Sequence, residues 1–134
     1  MLKSSITIIV PFLPGEEGYL SSLFYDLRNC PFSFELILSS PQSFKSFHLG
    51  MNEELTHSLN KILEKAGNQF QYVQAGPGRA VQMNAAAKLS SNGNYLWFVH
   101  VDSRISENNW QELHDLLQKD SSSKTAWYFP LGFS

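Results

Sequence analysis

The sequence predicts a single α/β domain built on a mainly parallel sheet with helices on both faces. Short apolar runs typical of buried strands alternate along the chain with segments whose apolar residues recur at helical spacing. The length of 134 residues is that of one domain, and a hydrophobic content of 43% with 16% charged residues is typical of a globular chain. Strands that alternate with helices form βαβ units. We therefore expect residues 1–134 to form one three-layer α/β/α domain.

The first half of the chain begins with a predicted strand over 6–10. This run is rich in β-branched residues and is closed by Pro11. The next segment, 16–29, has leucine and phenylalanine at helical spacing behind two glutamates that suit a helix N-terminus. The other elements predicted in this half are a strand over 33–38, a helix over 52–66 capped by Asn52 and ended at Gly67, and a strand over 69–74.

The second half continues the alternation. It consists of an alanine-rich helix over 80–90, a strand over 95–101, a helix over 106–119 capped by Ser106, and a last strand over 125–129. The strand over 95–101 is almost continuously apolar, as expected for a strand covered on both faces. In such sheets, ligands bind outside the carboxyl ends of the strands, where the strand order reverses. The segments to inspect for function are therefore 12–16, 39–43, 75–79 and 100–104.

Composition excludes some classes of function and location. The net charge is −2 and no basic stripe is visible, which argues against a nucleic-acid partner. Cys30 is the only cysteine, so no disulfide can form within the chain, and this suits a reducing compartment. The apolar run near the N-terminus is too short to span a membrane and is followed by a proline-containing turn instead of a cleavage site. We therefore expect a cytoplasmic protein without a membrane span.

A glycine-rich turn at 76–78 joins a predicted strand to the alanine-rich helix and is followed by Arg79. Glycine lets the backbone approach a ligand closely, and a helix N-terminus offers free N–H groups to an anion. Arg79 is able to make a forked contact with a phosphate or a base carbonyl. A plain tight turn with a solvated arginine explains the same residues. The turn matches neither a Walker loop nor the dinucleotide fingerprint, which follows the first strand of its fold.

His100 and Asp102 stand at the end of the most apolar predicted strand. Because side chains alternate along a strand, we expect the two to point the same way. A carboxylate at this edge is suited to hold a divalent cation against a diphosphate, since Mg²⁺ usually binds one or two carboxylates and keeps waters. Capping of the next turn by Asp102 is an equal alternative, and a structural role is the simpler interpretation of His100.

Three further polar residues have open interpretations. Asn84 lies in the middle of a predicted helix, where asparagine is mildly unfavourable, so it is expected to bond a neighbouring loop or a ligand. Glu16 and Glu17 are explained most simply as surface residues that favour the N-terminus of the first helix.

Two stretches together resemble the motifs of one enzyme family. Gly-Arg-Ala-Val-Gln-Met-Asn at 78–84 and His-Val-Asp-Ser at 100–103 are similar to Gly-Arg-Ala-x-Gln-Met-Asn and His-x-Asp-Ser/Thr in a bacterial branch of the family-two glycosyltransferases of GT-A type. Ile-Ile-Val-Pro at 8–11 is similar to the first strand of that family. The resemblance extends over nearly the whole chain and is specific between 78 and 103. It implies a Rossmann-like fold that forms the nucleotide-sugar-binding half of a transferase.

The resemblance also implies a ligand and its contacts. It implies that a nucleotide-diphosphate sugar binds with Mn²⁺ or Mg²⁺ and that its sugar is transferred to an acceptor that the sequence does not identify. Asp102 would take the place of the last aspartate of the Asp-x-Asp motif and hold the metal, His100 would take the place of the first, and Arg79 would approach the base or a phosphate. The implied contacts with the nucleotide sugar are Pro11, Phe12, Glu16, Ser39, Gly78, Arg79, Asn84, His100 and Asp102.

The sequence departs from the family pattern in two respects. The family usually has an aspartate at the end of the second strand, where this chain has Ser39 and Ser40. Family members also continue into an acceptor half that supplies the general base, and no residue here is assigned that role. The alternative is a non-catalytic remnant of the fold that binds a partner or self-associates through the apolar residues 127–129. A third hypothesis, a nucleotide or flavin binder of another doubly wound family, rests on the fold alone.

Overall fold

The structure is a computed structural model that describes residues 6–90, 95–119 and 125–127. These residues form five strands and five helices in an alternating order that confirms the predicted α/β fold. The strands are β1 (Ile6–Pro11), β2 (Glu35–Ser40), β3 (Gln69–Gln74), β4 (Tyr95–Phe98) and β5 (Thr125–Trp127). The helices are α1 (Glu17–Leu27), α2 (Phe44–Gly50), α3 (Glu53–Glu64), α4 (Arg79–Leu89) and α5 (Glu107–Lys119).

All paired strands are parallel, and the sheet has the order β3-β2-β1-β4-β5. The chain runs outward from β1 to β3 and then crosses back over β1 and β2 to place β4 on the other side of β1. Because parallel crossovers are right-handed, this change of direction requires α4 to lie on the face opposite α1 and α3. The strand order therefore reverses between β1 and β4.

The larger part of the core lies between the sheet and the helices α1, α3 and α5. The side chains of Ile8 in β1, Leu36 in β2 and Trp97 in β4 share this face because they are register partners. From α5, the Trp110 ring meets that of Trp97 edge-on at 5.9 Å. Alternate residues of the central strands and the apolar stripes of the three helices thus form one continuous apolar cluster.

The other face of the sheet is covered by α4 over a small apolar cluster. Ile9 and Ile37 pack there against Ala86, which is fully buried. The small alanine side chains of α4 allow the helix to approach the sheet closely. With α4 on this face and α1, α3 and α5 on the other, the predicted arrangement of helices on both faces is confirmed.

The second strand begins and ends two residues later than predicted. The backbone N–H of Phe34 donates to the Asn68 side chain at 2.9 Å, and the Ser33 hydroxyl donates to the Ala66 carbonyl at 2.9 Å. These bonds hold residues 33 and 34 against the loop before β3 instead of in the sheet. The sheet pairing instead continues through Ser39 and Ser40, which are completely buried.

The fourth strand is shorter than predicted. Pairing with β1 continues only to the backbone of Val99, whose N–H donates to the Ile9 carbonyl at 2.9 Å. The N–H of Ser103 donates to the His100 carbonyl at 3.0 Å, and the chain turns at 101 and 102. The prediction that the strand reaches 101 is therefore wrong, and strand alternation does not determine the relative directions of His100 and Asp102. The last strand ends at Trp127, and the predicted residues 128 and 129 lie outside the described part of the chain.

Helix α2 was not predicted from the sequence. Its seven residues are too few to show a clear helical period. The Ser43 hydroxyl caps it by accepting a bond from the Ser46 N–H at 3.2 Å. The buried ring of Phe47 lies 5.1 Å from the Tyr72 ring and 5.6 Å from the Phe12 ring, so aromatic packing holds the helix beside the β1 and β3 ends.

The predicted caps of the longer helices are present. The Asn52 side chain accepts a bond from the Leu55 N–H at 2.7 Å, and the Ser106 hydroxyl accepts one from the Asn109 N–H at 3.2 Å. Within the described residues, no helix has the length and apolar character needed to cross a membrane.

Burial of Cys30 generates a prediction about alkaline pH. Removal from water raises the pKa of its thiol from 9.0 to about 12. The unfolded chain therefore releases this proton from about pH 9, whereas the folded chain keeps it to about pH 12. We expect the stability advantage of the native protein over Cys30→Ala to be complete below pH 9 and to fall by up to ~1.4 kcal/mol per pH unit between pH 9 and 12.

Urea unfolding of both proteins at pH 8, 9.5 and 10.5 measures this difference. Comparing the two proteins cancels the titration of the tyrosines and lysines that they share. A difference that stays constant over this range would contradict the prediction, as would alkylation of the folded protein by iodoacetamide at the rate of the unfolded chain.

Candidate functional site

The candidate site lies at the carboxyl edge of the sheet, where the loops after β1, β3 and β4 meet at the reversal of strand order. Pro11 ends β1 at this edge, and Phe12 follows it with a buried ring. Arg79 begins α4, and His100 follows β4. These four residues, all predicted to contact a ligand, thus lie at or beyond the carboxyl ends of three strands at one edge of the sheet.

The loop between β1 and α1 is closed by its own glutamates. The Glu16 carboxylate accepts a bond from the Leu13 N–H at 2.7 Å, and the Glu17 carboxylate accepts one from the Gly15 N–H at 2.9 Å. Gly15 has a φ of +98°, which favours glycine at this bend. The glutamates therefore shape the loop, in addition to suiting the helix N-terminus as the sequence predicted.

The turn between β3 and α4 requires glycine for a steric reason. Gly76 and Gly78 have φ values of +103° and +133°, and the peptide bond between Gly76 and Pro77 is cis. A Cβ atom on Gly76 would lie 2.9 Å from Cγ of Gln82, which is closer than real Cβ contacts allow. The turn is thus wrapped tightly around the side chain of Gln82.

Gln82 is a site residue that the sequence analysis did not single out. It is only 2% exposed, and its side-chain amide donates to the carbonyl of Phe12 at 2.9 Å and to that of Ser39 at 2.8 Å. Its side-chain oxygen accepts a bond from the Gly78 N–H at 3.3 Å. One side chain therefore joins the ends of β1 and β2 to the turn after β3. The available signal was a glutamine between apolar and alanine positions on a helix expected to pack on a sheet.

Arg79 and His100 are brought into direct contact. The Nη1 atom of Arg79 lies 2.5 Å from Nδ1 of His100. Because a guanidinium group is always protonated and has no acceptor, Arg79 is the donor and the imidazole nitrogen is the acceptor. The contact joins the start of α4 to the loop after β4, across the carboxyl end of β1.

A pocket of about 80 Å³ lies beside this pair. Its walls are mostly apolar, and its lining consists of Pro11, Arg79, Met83, Phe98, Val99 and His100. Pockets that hold a drug-sized ligand measure about 300–1,000 Å³, so this one is large enough for only part of such a ligand. It suits a small apolar or planar group that carries an acceptor within reach of the arginine.

Asp102 is exposed in the turn after β4. Within the ranges that the structure describes, no three His, Cys, Asp or Glu side chains form a group that could hold a metal ion. A complete protein cage for a metal is therefore absent from these ranges. A single accessible carboxylate nevertheless fits the usual way of binding Mg²⁺, which takes one or two carboxylates together with substrate phosphates and water.

A buried carboxylate anchors the chain immediately after Asp102. Asp26 in α1 is 6% exposed and accepts two bonds from the Arg104 guanidinium, at 2.8 and 3.1 Å, and one from the Ile105 N–H at 2.8 Å. The forked contact and the backbone bond together set the path of the loop. This anchor was not predicted because Arg104 and Ile105 lie 78 and 79 positions away from Asp26 in the chain and no local pattern relates them.

Ser39 and Asn84 were predicted to contact the ligand, but neither lines the pocket. Ser39 lies inside β2 instead of after it, and its side chain is completely buried. Its hydroxyl has no hydrogen-bond partner among the described residues, whereas its carbonyl accepts from both Phe12 and Gln82. Asn84 is exposed on α4 and is not part of the pocket lining. Ligand contact by either residue stays a prediction.

Loss of the Asp26 anchor has a measurable consequence. In Asp26→Ala, the buried Ile105 N–H loses its acceptor, and an unsatisfied buried donor costs about 1–3 kcal/mol. The ion pair adds little because Arg104 is largely exposed. We expect Asp26→Ala to lower the free energy of unfolding by about 2 kcal/mol, measured by urea titration. The control is Asp115→Ala on the exposed side of α5, which should change it by less than about 0.5 kcal/mol. Equal effects of the two substitutions would contradict the anchoring role.

Comparison with known proteins identifies the fold. No protein-family profile matches the chain, and no curated protein matches it. Two solved structures of TarS from S. aureus, a glycosyltransferase, are similar to it at a TM-score of 0.57 and 20% identity over 88% of this chain.

The matched region spans 20% of one TarS structure and 33% of the other, which comprises residues 1–349. At this identity the similarity concerns the fold alone. The chain therefore has a Rossmann-like α/β fold that is similar to a part of TarS.

Proposed function

We propose that this chain binds a nucleotide-diphosphate sugar with Mn²⁺ or Mg²⁺, as the donor-binding half of a family-two glycosyltransferase of GT-A type. The observation that carries the proposal is the arrangement of Arg79, His100 and Asp102 on two loops at the reversal of strand order. In doubly wound sheets this is where nucleotides bind. The similarity to the TarS fold supports the transferase class, and the motifs at 78–84 and 100–103 support the family.

In this proposal Arg79 recognises the nucleotide. A guanidinium group has five N–H donors in a plane, and the contact with His100 orients it from one nitrogen. The remaining donors suit a forked contact with a phosphate or a base carbonyl. The apolar walls of the adjoining pocket, among them Pro11 and Met83, suit the face of a planar ring. The loop that begins at Phe12 lines the nucleoside.

Asp102 is proposed to hold the metal, with the diphosphate supplying further oxygen ligands. When bound, the metal acts as a Lewis acid that stabilises negative charge on the departing nucleoside diphosphate. The anchor between Asp26 and Arg104 keeps the Asp102 turn in place from the far side of the loop. No described residue is assigned as general base, and the acceptor is left open.

Calorimetric titration tests the proposal. Native protein is titrated with UDP, GDP and dTDP, each in the presence of Mn²⁺ and again with EDTA. We expect one of them to bind and to bind more weakly in EDTA. Asp102→Asn, which keeps the size of the side chain and removes its charge, should lower the Mn²⁺-dependent affinity by about tenfold or more.

The matched control is Asp115→Asn, the same change on an exposed face of α5. Its affinity should equal that of the native chain. Failure of native protein to bind any of the three nucleotides would overturn the proposed function. Binding that does not change with EDTA or with Asp102→Asn would overturn the metal assignment.

A further inference from the structure

We propose that Gln82 is a positioning residue of this site, one that locks the carboxyl ends of β1 and β2 to the turn after β3 and thereby places Arg79. The inference rests on the proposed function for the ligand it concerns. It assigns a role in binding to a side chain that is itself inaccessible to any ligand, since only 2% of Gln82 is exposed.

The bonding of Gln82 uses both ends of its carboxamide. The two amide N–H groups donate to backbone carbonyls of Phe12 and Ser39, which follow or end neighbouring strands. The Ser39 carbonyl also accepts a bond from the Phe12 N–H at 2.9 Å, so both of its lone pairs are used. The side-chain oxygen accepts from Gly78 at the start of α4. The two donated bonds cross from α4 to the carboxyl ends of β1 and β2, and the third joins the same side chain to the turn before α4.

A carboxamide is the side-chain group that suits this place. It supplies two donors and an acceptor without a charge, which is the set that two carbonyls and one N–H require. A carboxylate in the same place would face two carbonyl oxygens with no proton to donate. An apolar side chain would remove the amide donors from the buried Phe12 and Ser39 carbonyls and the acceptor from the Gly78 N–H, and the loss of partners by buried backbone groups is costly in a low-dielectric interior.

The same residue is coupled to the proposed ligand-binding arginine through the first turn of α4. The backbone N–H of Gln82 donates to the Gly78 carbonyl at 2.9 Å, so Gln82 and Arg79 belong to one helical turn. Gly76 leaves room for the Gln82 side chain, because a Cβ atom there would overlap it. Displacement of the Gln82 side chain would therefore move the turn that begins with Gly76 and ends in Arg79.

A purely structural role for Gln82 makes a different prediction. Packing and stability would then change on substitution, while folded molecules would bind nucleotide as before. The test compares Gln82→Met, which keeps the length and removes the hydrogen bonds, with Gln82→Glu, which keeps the acceptor and removes both donors. The control is Gln111→Met, the same change at an exposed position of α5. All proteins are studied well below their melting temperatures, so that each is fully folded.

The first measurement is native-state hydrogen exchange by NMR without any ligand. We expect the amide proton of Phe12 to exchange about tenfold faster or more in both Gln82 variants, that of Gly78 to do so in Gln82→Met, which lacks its acceptor, and that of Ile8 inside β1 to be unchanged. The second measurement is calorimetric titration with whichever of UDP, GDP or dTDP binds the native protein in the presence of Mn²⁺. We expect the affinity to fall by about tenfold or more in both variants and to be native in Gln111→Met.

Two outcomes would overturn the inference. They are unchanged exchange at Gly78 and Phe12, whatever the affinity, and faster exchange with native affinity. If native protein binds none of the nucleotides, the proposed function fails and the positioning role in nucleotide binding fails with it. The exchange measurement still decides whether Gln82 locks the loops, so the two failures are distinguishable.

Discussion

The position of β1 at the point where the sheet reverses its order is the constraint on which the candidate site depends. β1 pairs with β2 on one side and with β4 on the other, and its residues from Ile6 to Val10 are completely buried. The loop that follows β1 is therefore flanked by the ends of both neighbours. Because right-handed crossovers place α4 on the opposite face from α1, the N-terminus of α4 arrives beside that loop. Arg79 and His100 meet across the end of β1 for this reason.

Polar contacts hold α4 where apolar burial is small. The cluster beneath the helix is limited to Ile9, Ile37 and Ala86, with a few partly buried neighbours. Gln82 fastens the N-terminal end of α4 to the carboxyl edge of the sheet through three hydrogen bonds. This allows an alanine-rich helix with little apolar surface to keep one position on the sheet.

The C-terminal end of α4 is fastened by a second polar network at the amino edge. Glu35 is completely buried in β2 and accepts bonds from the Thr7 hydroxyl at 3.1 Å and from the Gln71 side chain at 2.7 Å. Because the single Thr7 proton is given to Glu35, the Ser90 hydroxyl donates to Thr7 at 2.8 Å. Gln71 also donates to the carbonyl of Leu89, the last residue of α4. Polar groups of the sheet thus define both ends of the helix, and a shift of α4 along the sheet would break both sets together.

Local patterns were enough to predict most of the fold, and long-range contacts explain what they missed. The third strand and the Asn52 cap were predicted correctly because apolar runs and caps are local features. The shift of β2 depends on Asn68, a residue 34 positions away in the chain. The early end of β4 depends on a turn that apolar residues conceal, since Val99 and Val101 are buried in the loop as they would be in a strand.

In the candidate site too, residues marked by local sequence were predicted and residues defined by long-range contacts were missed. Arg79 and His100 were predicted from their places after strands, and the structure brings them together. Gln82 and Asp26 were missed because their importance comes from partners that are distant in sequence. A buried glutamine reads as an ordinary helical residue until the backbone groups around it are known, and a buried aspartate in α1 gives no local sign of the loop that it holds. The groups proposed to face a ligand stand at predictable places in this fold, whereas the groups that hold the loops depend on tertiary packing.

A histidine at position 100 instead of an acidic residue affects how the proposed site would receive an anion. In the proposed function, His100 takes the place of the first aspartate of an Asp-x-Asp motif. An aspartate 2.5 Å from a guanidinium nitrogen would form an ion pair and cancel much of its charge, whereas the imidazole of His100 accepts the same bond without a negative charge. Arg79 is then oriented by a fixed contact and keeps its positive charge for a ligand. In the proposed function, the diphosphate is therefore met from one side by Arg79 and from the other by a metal on Asp102. A site with one metal-binding carboxylate instead of two remains suited to a doubly charged ligand because the arginine supplies part of the neutralising charge.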